Sequence, residues 1–176
     1  MQAGRVRAVA IGLAALLAAC ASSETEPPVA AACPAALLLD GAERTTSYRG
    51  GERSPDALQY LAVLTHLQSS CSYNDQGVDV DLALDLIAQR GPAGTQDSVP
   101  LTYFIATIGP NRQILSKQLL DSQIEFTKGE DLAGVAEQLT LRLPAVTPEQ
   151  AAAYNLYLGF QLDDAQLERR LQPLLR

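Results

Sequence analysis

The sequence predicts an all-β protein, an antiparallel β-sandwich that ends in a short helix. Three observations favour this fold class. Roughly seven to nine short segments with strand character follow one another at spacings of about ten residues. Turn sequences rich in Gly, Pro, Asn and Asp separate these segments, and helix signals are confined to the last part of the chain.

The clearest periodicity follows the turn Asn74-Asp75-Gln76-Gly77. Apolar residues occupy one parity of this segment, and Asp79, Asp81 and Asp85 lie on the other. Alternation with a period of two predicts a strand with one buried face and does not fit a helix. The run 58–73 before the turn is rich in Val and Thr and is also predicted to be a strand. The two segments then form a long hairpin at the centre of a sheet.

The remaining strand segments lie on both sides of this hairpin, and we place them at 36–39, 43–48, 99–108, 114–120, 123–126, 135–143 and 156–160. Thr147-Pro148 starts one or two helical turns, and Asp163 caps a closing helix. The architecture is similar to that of immunoglobulin-like and fibronectin-type domains. The chain lacks the Trp that marks true immunoglobulin domains, so only the architecture is predicted.

The N-terminal segment has the parts of an export signal in the usual order. Arg5 and Arg7 precede an apolar run that is too short to span a bilayer, and Leu17-Ala18-Ala19-Cys20 closes it. This segment resembles the signal peptide of bacterial lipoproteins. The resemblance implies removal of residues 1–19, attachment of a diacylglycerol to Cys20, and acylation of the new amino group by a fatty acid such as palmitate. An ordinary secretory signal, cleaved after Ala19 or Ala21, remains the alternative.

This resemblance also implies a place in the cell. With Ala21 and Ser22 after the cysteine, and no Asp, the sorting pattern indicates the outer membrane, with the protein facing the periplasm. Two or three acyl chains exceed the single chain that binds membranes only marginally, so we expect the membrane to be a partner through the lipid anchor. Residues 20–32 have few core-forming side chains and are expected to be a disordered tether. Residues 33–176 then form the β-sandwich domain.

The charge of the chain disfavours a nucleic-acid partner. The sequence has 13 basic and 20 acidic residues, and removal of residues 1–19 changes the net charge from −7 to −9. Binding to phosphates needs clustered Lys and Arg side chains. A basic partner surface or a divalent cation is the more natural counterpart.

With Cys20 assigned to the lipid, the cysteines that remain are Cys33 and Cys71. The envelope oxidises thiols, and two cysteines allow one connectivity. We therefore predict a disulfide that closes a 39-residue loop and stabilises the domain by roughly 4 kcal/mol in the chain-entropy model. Two buried free thiols or a metal pair are the alternatives, although a pair of cysteines alone is a poor zinc site.

The catalytic inventory is small, and we expect no enzyme, cofactor or metal. His66 is the one histidine, and the sequence contains no Gly-x-Ser-x-Gly, Ser-x-x-Lys or His-Glu-x-x-His motif. A hydrolase that uses His66 is the alternative from the enzyme class. The aspartates Asp79, Asp81 and Asp85 form either a solvated acidic face, a calcium site or a docking face for a basic partner.

Three short motifs add a second resemblance. The Cys33-Pro34 start, the stretch Ser-Cys-Ser-Tyr-Asn-Asp-Gln-Gly at 70–77 and Tyr-Leu-Gly-Phe-Gln-Leu at 157–162 look like those of small uncharacterised outer-membrane lipoproteins of alphaproteobacteria. This resemblance implies a non-enzymatic binding or scaffold module with a protein partner in the envelope. An accessory subunit of the outer-membrane β-barrel assembly machinery is the specific alternative, with pairing at an open sheet edge as the binding mode.

Overall fold

Two four-stranded sheets pack face to face in the computed structural model, which describes residues 32–51, 53–144 and 146–171, without the side chains of Arg169 and Leu171. The described residues all belong to one unit, Ala31–Arg176. The predicted signal peptide, Cys20 and residues 20–31 of the predicted tether lie outside the described residues. The fold is the predicted all-β sandwich.

The strands are β1 (Ala35–Leu38), β2 (Arg44–Tyr48), β3 (Leu58–Asn74), β4 (Gly77–Arg90), β5 (Ser98–Ile108), β6 (Ile114–Glu125), β7 (Leu132–Pro144) and β8 (Asn155–Phe160). The first sheet has the order β1-β8-β5-β6, and the second has the order β2-β3-β4-β7. The helices are short: the 3₁₀ turns Arg49–Gly51 and Pro55–Ala57, and the α-helices α1 (Pro148–Ala151) and α2 (Asp164–Leu171). Among the described residues, no helix has the length and apolar character needed to cross a bilayer.

The hairpin of β3 and β4 lies at the centre of the second sheet, as predicted. Alternate residues of β4, from Val78 to Leu86, are at most 2% exposed and form part of the core on the side of the second sheet. Tyr103, Ile105, Leu158 and Phe160 of the first sheet pack against them. Burial of this apolar surface on both inner faces is the main force that holds the two sheets together.

One strand pair differs from the predicted antiparallel arrangement. β1 runs parallel to β8, with Ala35 opposite Asn155 and Leu38 opposite Leu158. The two strands are more than a hundred residues apart in the sequence, so no hairpin turn imposes an antiparallel direction on them. The other strand pairs among the described residues are antiparallel.

The prediction of two strands at 114–120 and 123–126 was wrong. The structure has one strand, β6, which pairs with β5 from Ile114 to Glu125. In the sequence, the polar residues Asp121 and Ser122 look like a break between two strands. In the structure, both side chains have hydrogen-bond partners. The Thr102 hydroxyl in β5 donates to Asp121 Oδ1 at 2.7 Å. Because the polar groups are satisfied on a partly exposed edge strand, the ladder continues through them.

The disulfide between Cys33 and Cys71 is present, with the two Cα atoms 5.8 Å apart. It joins Cys33, two residues before the start of β1, to Cys71 in the last third of β3. The Tyr73 hydroxyl also donates to the carbonyl of Ala32. These contacts hold the start of the described chain beside the turn of the β3–β4 hairpin, and we refer to this end of the sandwich as the tether end.

Candidate binding cleft

A cleft of about 490 Å³ opens between the two sheets at the end opposite the tether end. It lies between the edge strand β2, the loop that follows β2, and the strands β5 and β8, with the start of α2 as its cover. Its size falls in the range of small-ligand sites. The lining side chains include Thr45, Ser47, Tyr48, Arg53, Tyr60, Thr102, Asp163 and Gln166.

α2 covers the outer edge of β2 through two of its side chains. Nε2 of Gln166 donates to the Thr45 hydroxyl and to the carbonyl of Thr46, both at 3.1 Å. Nη2 of Arg170 donates to the carbonyl of Arg44 at 3.2 Å. These carbonyls lie on the side of β2 that has no strand partner, so the helix satisfies an edge that would otherwise be open to pairing.

The start of α2 is set by a reciprocal cap. The backbone N–H of Gln166 donates to Oδ1 of Asp163 at 2.6 Å, and the N–H of Asp163 donates to Oε1 of Gln166 at 3.0 Å. This is the capping box that an N-cap acid with Gln three residues later predicts. The same Gln166 side chain therefore begins the helix and attaches it to β2. The position of α2 over the cleft depends on this residue.

The polar side chains of the cleft lie beside the aromatic rings of Tyr48 and Tyr60. The guanidinium of Arg53 lies 5.4 Å from the ring centre of Tyr48, which is cation–π distance. Burial raises the pKa of Tyr60, against a smaller opposite effect of its hydrogen bond with Ser47, so the phenol is neutral and serves as a donor or acceptor near pH 7. Hydroxyl and amide groups converge in the cleft with the guanidinium of Arg53 and the carboxylate of Asp163. This lining suits a polar organic ligand or the side chains of a peptide.

A second hollow of about 500 Å³ lies on the outer face of the second sheet, above Ala83, and is lined by Gln68, Ser69, Ser70, Asp81, Leu82, Ala83, Gln138, Leu139 and Thr140. It is a trough in an open sheet face and has no covering element. The cleft under α2 is the better candidate for a binding site than this trough, because it encloses a ligand on more sides and removes more of the ligand surface from water.

His66 lies on a bulge of β3 and outside the cleft. Its backbone has φ 52°, and the register of β3 on β4 shifts between Thr65 and Gln68, which is the pattern of a β-bulge. Nδ1 of His66 lies 2.8 Å from Oδ2 of Asp85, and the two side chains are 70% and 40% exposed. The structure thus pairs the histidine with a carboxylate, but in an open position on the sheet surface.

The other two aspartates of β4 have partners on β7. Asp79 accepts two hydrogen bonds from Arg142, at 2.6 and 2.9 Å, and Asp81 accepts one from the Thr140 hydroxyl at 2.6 Å. The bond with Arg142 lowers the pKa of Asp79 despite some opposing desolvation. Among the described residues, no group of three or more His, Cys, Asp or Glu side chains is close enough to hold a metal ion.

The structure therefore brings Cys33 to Cys71 and His66 to Asp85, and it separates the three aspartates into different cross-strand pairs. Sequence reasoning missed the cleft. Its residues come from β2 and the loop after it, β3, β5, the end of β8 and α2, which are distant in the sequence, and no single motif brings them together. The one local signal is the Asp163 and Gln166 pair, which marks the helix start.

No family model matches the chain, and no curated protein matches it either. A comparison with solved structures finds similarity to the uncharacterised lipoprotein yajI from Escherichia coli, determined in solution by NMR. The alignment covers 72% of this chain and 69% of that chain, at 18% sequence identity and a TM-score of 0.24. A TM-score of this size does not establish a shared fold.

Proposed function

We propose that this chain is a lipoprotein of the bacterial envelope, anchored through Cys20 and facing the periplasm from the outer membrane, that acts as a non-catalytic binding module. The observation that carries the binding role is the cleft under α2, with its convergent polar side chains and its helical cover. The cleft lies at the end of the domain opposite the disulfide, where a partner can reach it without meeting the tether.

The ligand of the cleft is a polar segment of an envelope partner. Arg53 attracts a carboxylate or phosphate group, and the ring of Tyr48 beside it provides an apolar surface. The hydroxyls of Thr45, which accepts a bond from Gln166, and of Tyr60 provide further donors and acceptors. Such a set recognises shape and hydrogen-bonding pattern, and nothing in it requires a reaction.

A photo-reactive phenylalanine analogue in place of Arg53 tests the cleft in cells. We expect it to form a discrete adduct with an envelope component, and mass spectrometry identifies that component. The matched control places the same analogue at Lys128, an exposed residue in the turn between β6 and β7 at the same end of the sandwich. Adducts from both positions, or from neither, would contradict a binding role for the cleft.

The anchor needs a separate test. The intact mass of the purified chain shows whether residues 1–19 are removed and Cys20 carries lipid, and Cys20→Ala is the control. A cross-linked pull-down of both forms then separates partners that depend on the anchor. Recovery of the barrel-assembly proteins with the lipidated form alone would favour the accessory-subunit role over a general scaffold role.

One observation favours a second candidate, a hydrolase that uses His66. The 2.8 Å contact with Asp85 holds the ring in the orientation that a general base requires. This function predicts hydrolysis of ester or amide substrates that both His66→Ala and Asp85→Asn abolish. Thr140→Val is the matched control, because it removes another hydrogen bond to an aspartate of the same strand, that of Asp81. Activity that persists in His66→Ala would exclude this candidate.

A further inference from the structure

The turn between β5 and β6 and the first two residues of β6 carry exposed basic and apolar side chains at the tether end of the domain. Ile114 is 68% exposed and Leu115 is 51% exposed. Arg112, in the turn itself, has φ 61° and is also exposed. We call these three residues the hairpin tip. Exposed aliphatic side chains beside a cation are typical of surfaces that contact another component.

The part of this hairpin nearest the turn is positively charged, although the whole β5–β6 hairpin, which also contains Asp121 and Glu125, has no net charge. The chain has a net charge of −7, yet residues 98–120 contain two cations, Arg112 and Lys117, and no acidic residue. Lys117 donates to Oε1 of Gln161 at 2.8 Å and lies 4.5 Å from the ring centre of Phe104, so it remains on the outer face of the first sheet. Arg112 takes part in none of the ion pairs among the described residues.

Strand register places the hairpin tip where the chain enters the domain. Ile108 at the end of β5 lies opposite Asn155 of β8, and Asn155 lies opposite Ala35 of β1. Ala35 follows Cys33 by two residues, and the disulfide holds Cys33 at this end. The residues that connect the domain to Cys20 therefore join it at the same end as the hairpin tip.

We propose that the hairpin tip binds the surface of an anionic phospholipid membrane. This inference rests on the proposed anchor for the location of the membrane. Ile114 and Leu115 enter the boundary between headgroups and acyl chains, and Arg112 pairs with lipid phosphates. Asp75 lies at the same end, in the turn between β3 and β4, and so does Glu149 of α1, whose charge acts on Tyr73. They disfavour approach through the second sheet, so the domain tilts its first sheet towards the lipid.

The absence of Trp from the sequence provides a sensitive test. The full, lipid-modified chain with Leu115→Trp is reconstituted into vesicles of phosphatidylethanolamine and phosphatidylglycerol with brominated acyl chains. We expect a blue-shifted emission that the bromines quench. The matched control is Leu132→Trp, because Leu132 is 63% exposed on the edge strand β7 but lies opposite Gln89, at the far end of the domain. Its emission is expected to be unquenched.

A second variant tests whether the charge of Arg112 contributes to membrane binding. Arg112→Gln in the Leu115→Trp chain is expected to lower the ratio of membrane-bound to free hairpin tip about fivefold, the effect of one Lys or Arg near an anionic surface. Lys128→Gln is the matched charge control at the other end and is expected to leave the quenching unchanged. Replacement of phosphatidylglycerol by zwitterionic lipid should reproduce the effect of Arg112→Gln.

The outcomes separate this inference from the proposed anchor, because intact mass reports lipid on Cys20 independently. A lipidated chain whose Leu115→Trp emission is unquenched would overturn the membrane contact and leave the anchor intact. An unmodified chain that is still quenched would support the contact and overturn the anchor, and one that is not quenched would overturn both. A blue shift without quenching, together with a dimer that Ile114→Ser dissociates, would assign the hairpin tip to a second copy and overturn the membrane contact.

Discussion

The hydroxyl of Ser122 in β6 donates a 2.6 Å hydrogen bond to Oε1 of Glu137 in β7. These strands are edge strands of different sheets, so the bond joins the two sheets along one side of the sandwich. Glu137 shares its parity with Leu139 and Leu141, which face the core. An inward-directed charge on an edge strand opposes pairing with a further strand, because such pairing would remove the charge from water.

Glu137 also affects a tyrosine inside the sandwich. Burial, with a smaller contribution from the Glu137 charge, raises the pKa of Tyr103 to about 12. We expect Glu137→Gln to lower this pKa. The measurement is an ultraviolet titration of the phenols, with Tyr103→Phe to assign the transition. An unchanged pKa in Glu137→Gln would show that burial alone is responsible.

The raised pKa of Tyr103 predicts the dependence of stability on alkaline pH. A group whose pKa is higher in the folded state than in the unfolded state contributes stability below the unfolded pKa and loses it as pH rises to the folded pKa. The free energy of unfolding should therefore fall between the ordinary value of 10 and about 12. Tyr103→Phe should remove this part of the decline. Urea unfolding at a series of alkaline pH values measures it.

The pair of Asp79 and Arg142 predicts an effect in acid. Hydrogen bonds from Arg142 hold the pKa of Asp79 below its ordinary value. Stability from this pair is present above the unfolded pKa of the carboxyl and is lost as pH falls through the lowered folded value. Arg142→Met should return the pKa of Asp79 towards 3.8, as measured by NMR titration. Lys128→Gln, which removes a distant cation, is expected to leave it unchanged.

The disulfide predicts a measurable loss of stability on its removal. The double variant Cys33→Ala, Cys71→Ala should lower the free energy of unfolding by about 4 kcal/mol, because the unfolded chain regains the entropy of an open loop. Chemical denaturation with and without reductant measures this loss. Reductant should lower the midpoint of the unaltered chain and have no effect on the double variant. Equal midpoints for the two chains under oxidising conditions would contradict a stabilising role.

The backbone of His66 predicts which substitutions the bulge accepts. At φ 52° a residue with a Cβ is strained, and a β-branched residue is strained most. His66→Val should lower the free energy of unfolding by about 1 to 2 kcal/mol. His66→Gly should leave the free energy of unfolding nearly unchanged, because glycine adopts this conformation freely. The variant loses only the exposed contact between His66 and Asp85. A large loss of stability in His66→Gly would show that the imidazole itself holds the bulge.

Much of the fold follows from local patterns. The alternation of β4 was sufficient to predict the strand and its buried face, because side chains of a strand point in turn to opposite sides and only one side is apolar. The turn at Asn74 to Gly77 placed β3 beside β4 for the same local reason. The prediction of a break in the strand near Asp121 and Ser122 was wrong. The hydrogen-bond partners of these two side chains come from other strands, so a local pattern could not reveal them.

Periodicity and turn residues were sufficient to predict the class of the fold and the central hairpin, and the pairing of Cys33 with Cys71 followed once Cys20 was assigned to the predicted lipid anchor. Three features became visible in the folded chain and not before: the parallel pairing of β1 with β8, the cleft under α2 and the bond between Ser122 and Glu137. Each of these joins residues far apart in the chain. Contacts of this kind depend on how the two sheets stack, and no short window of sequence carries that information.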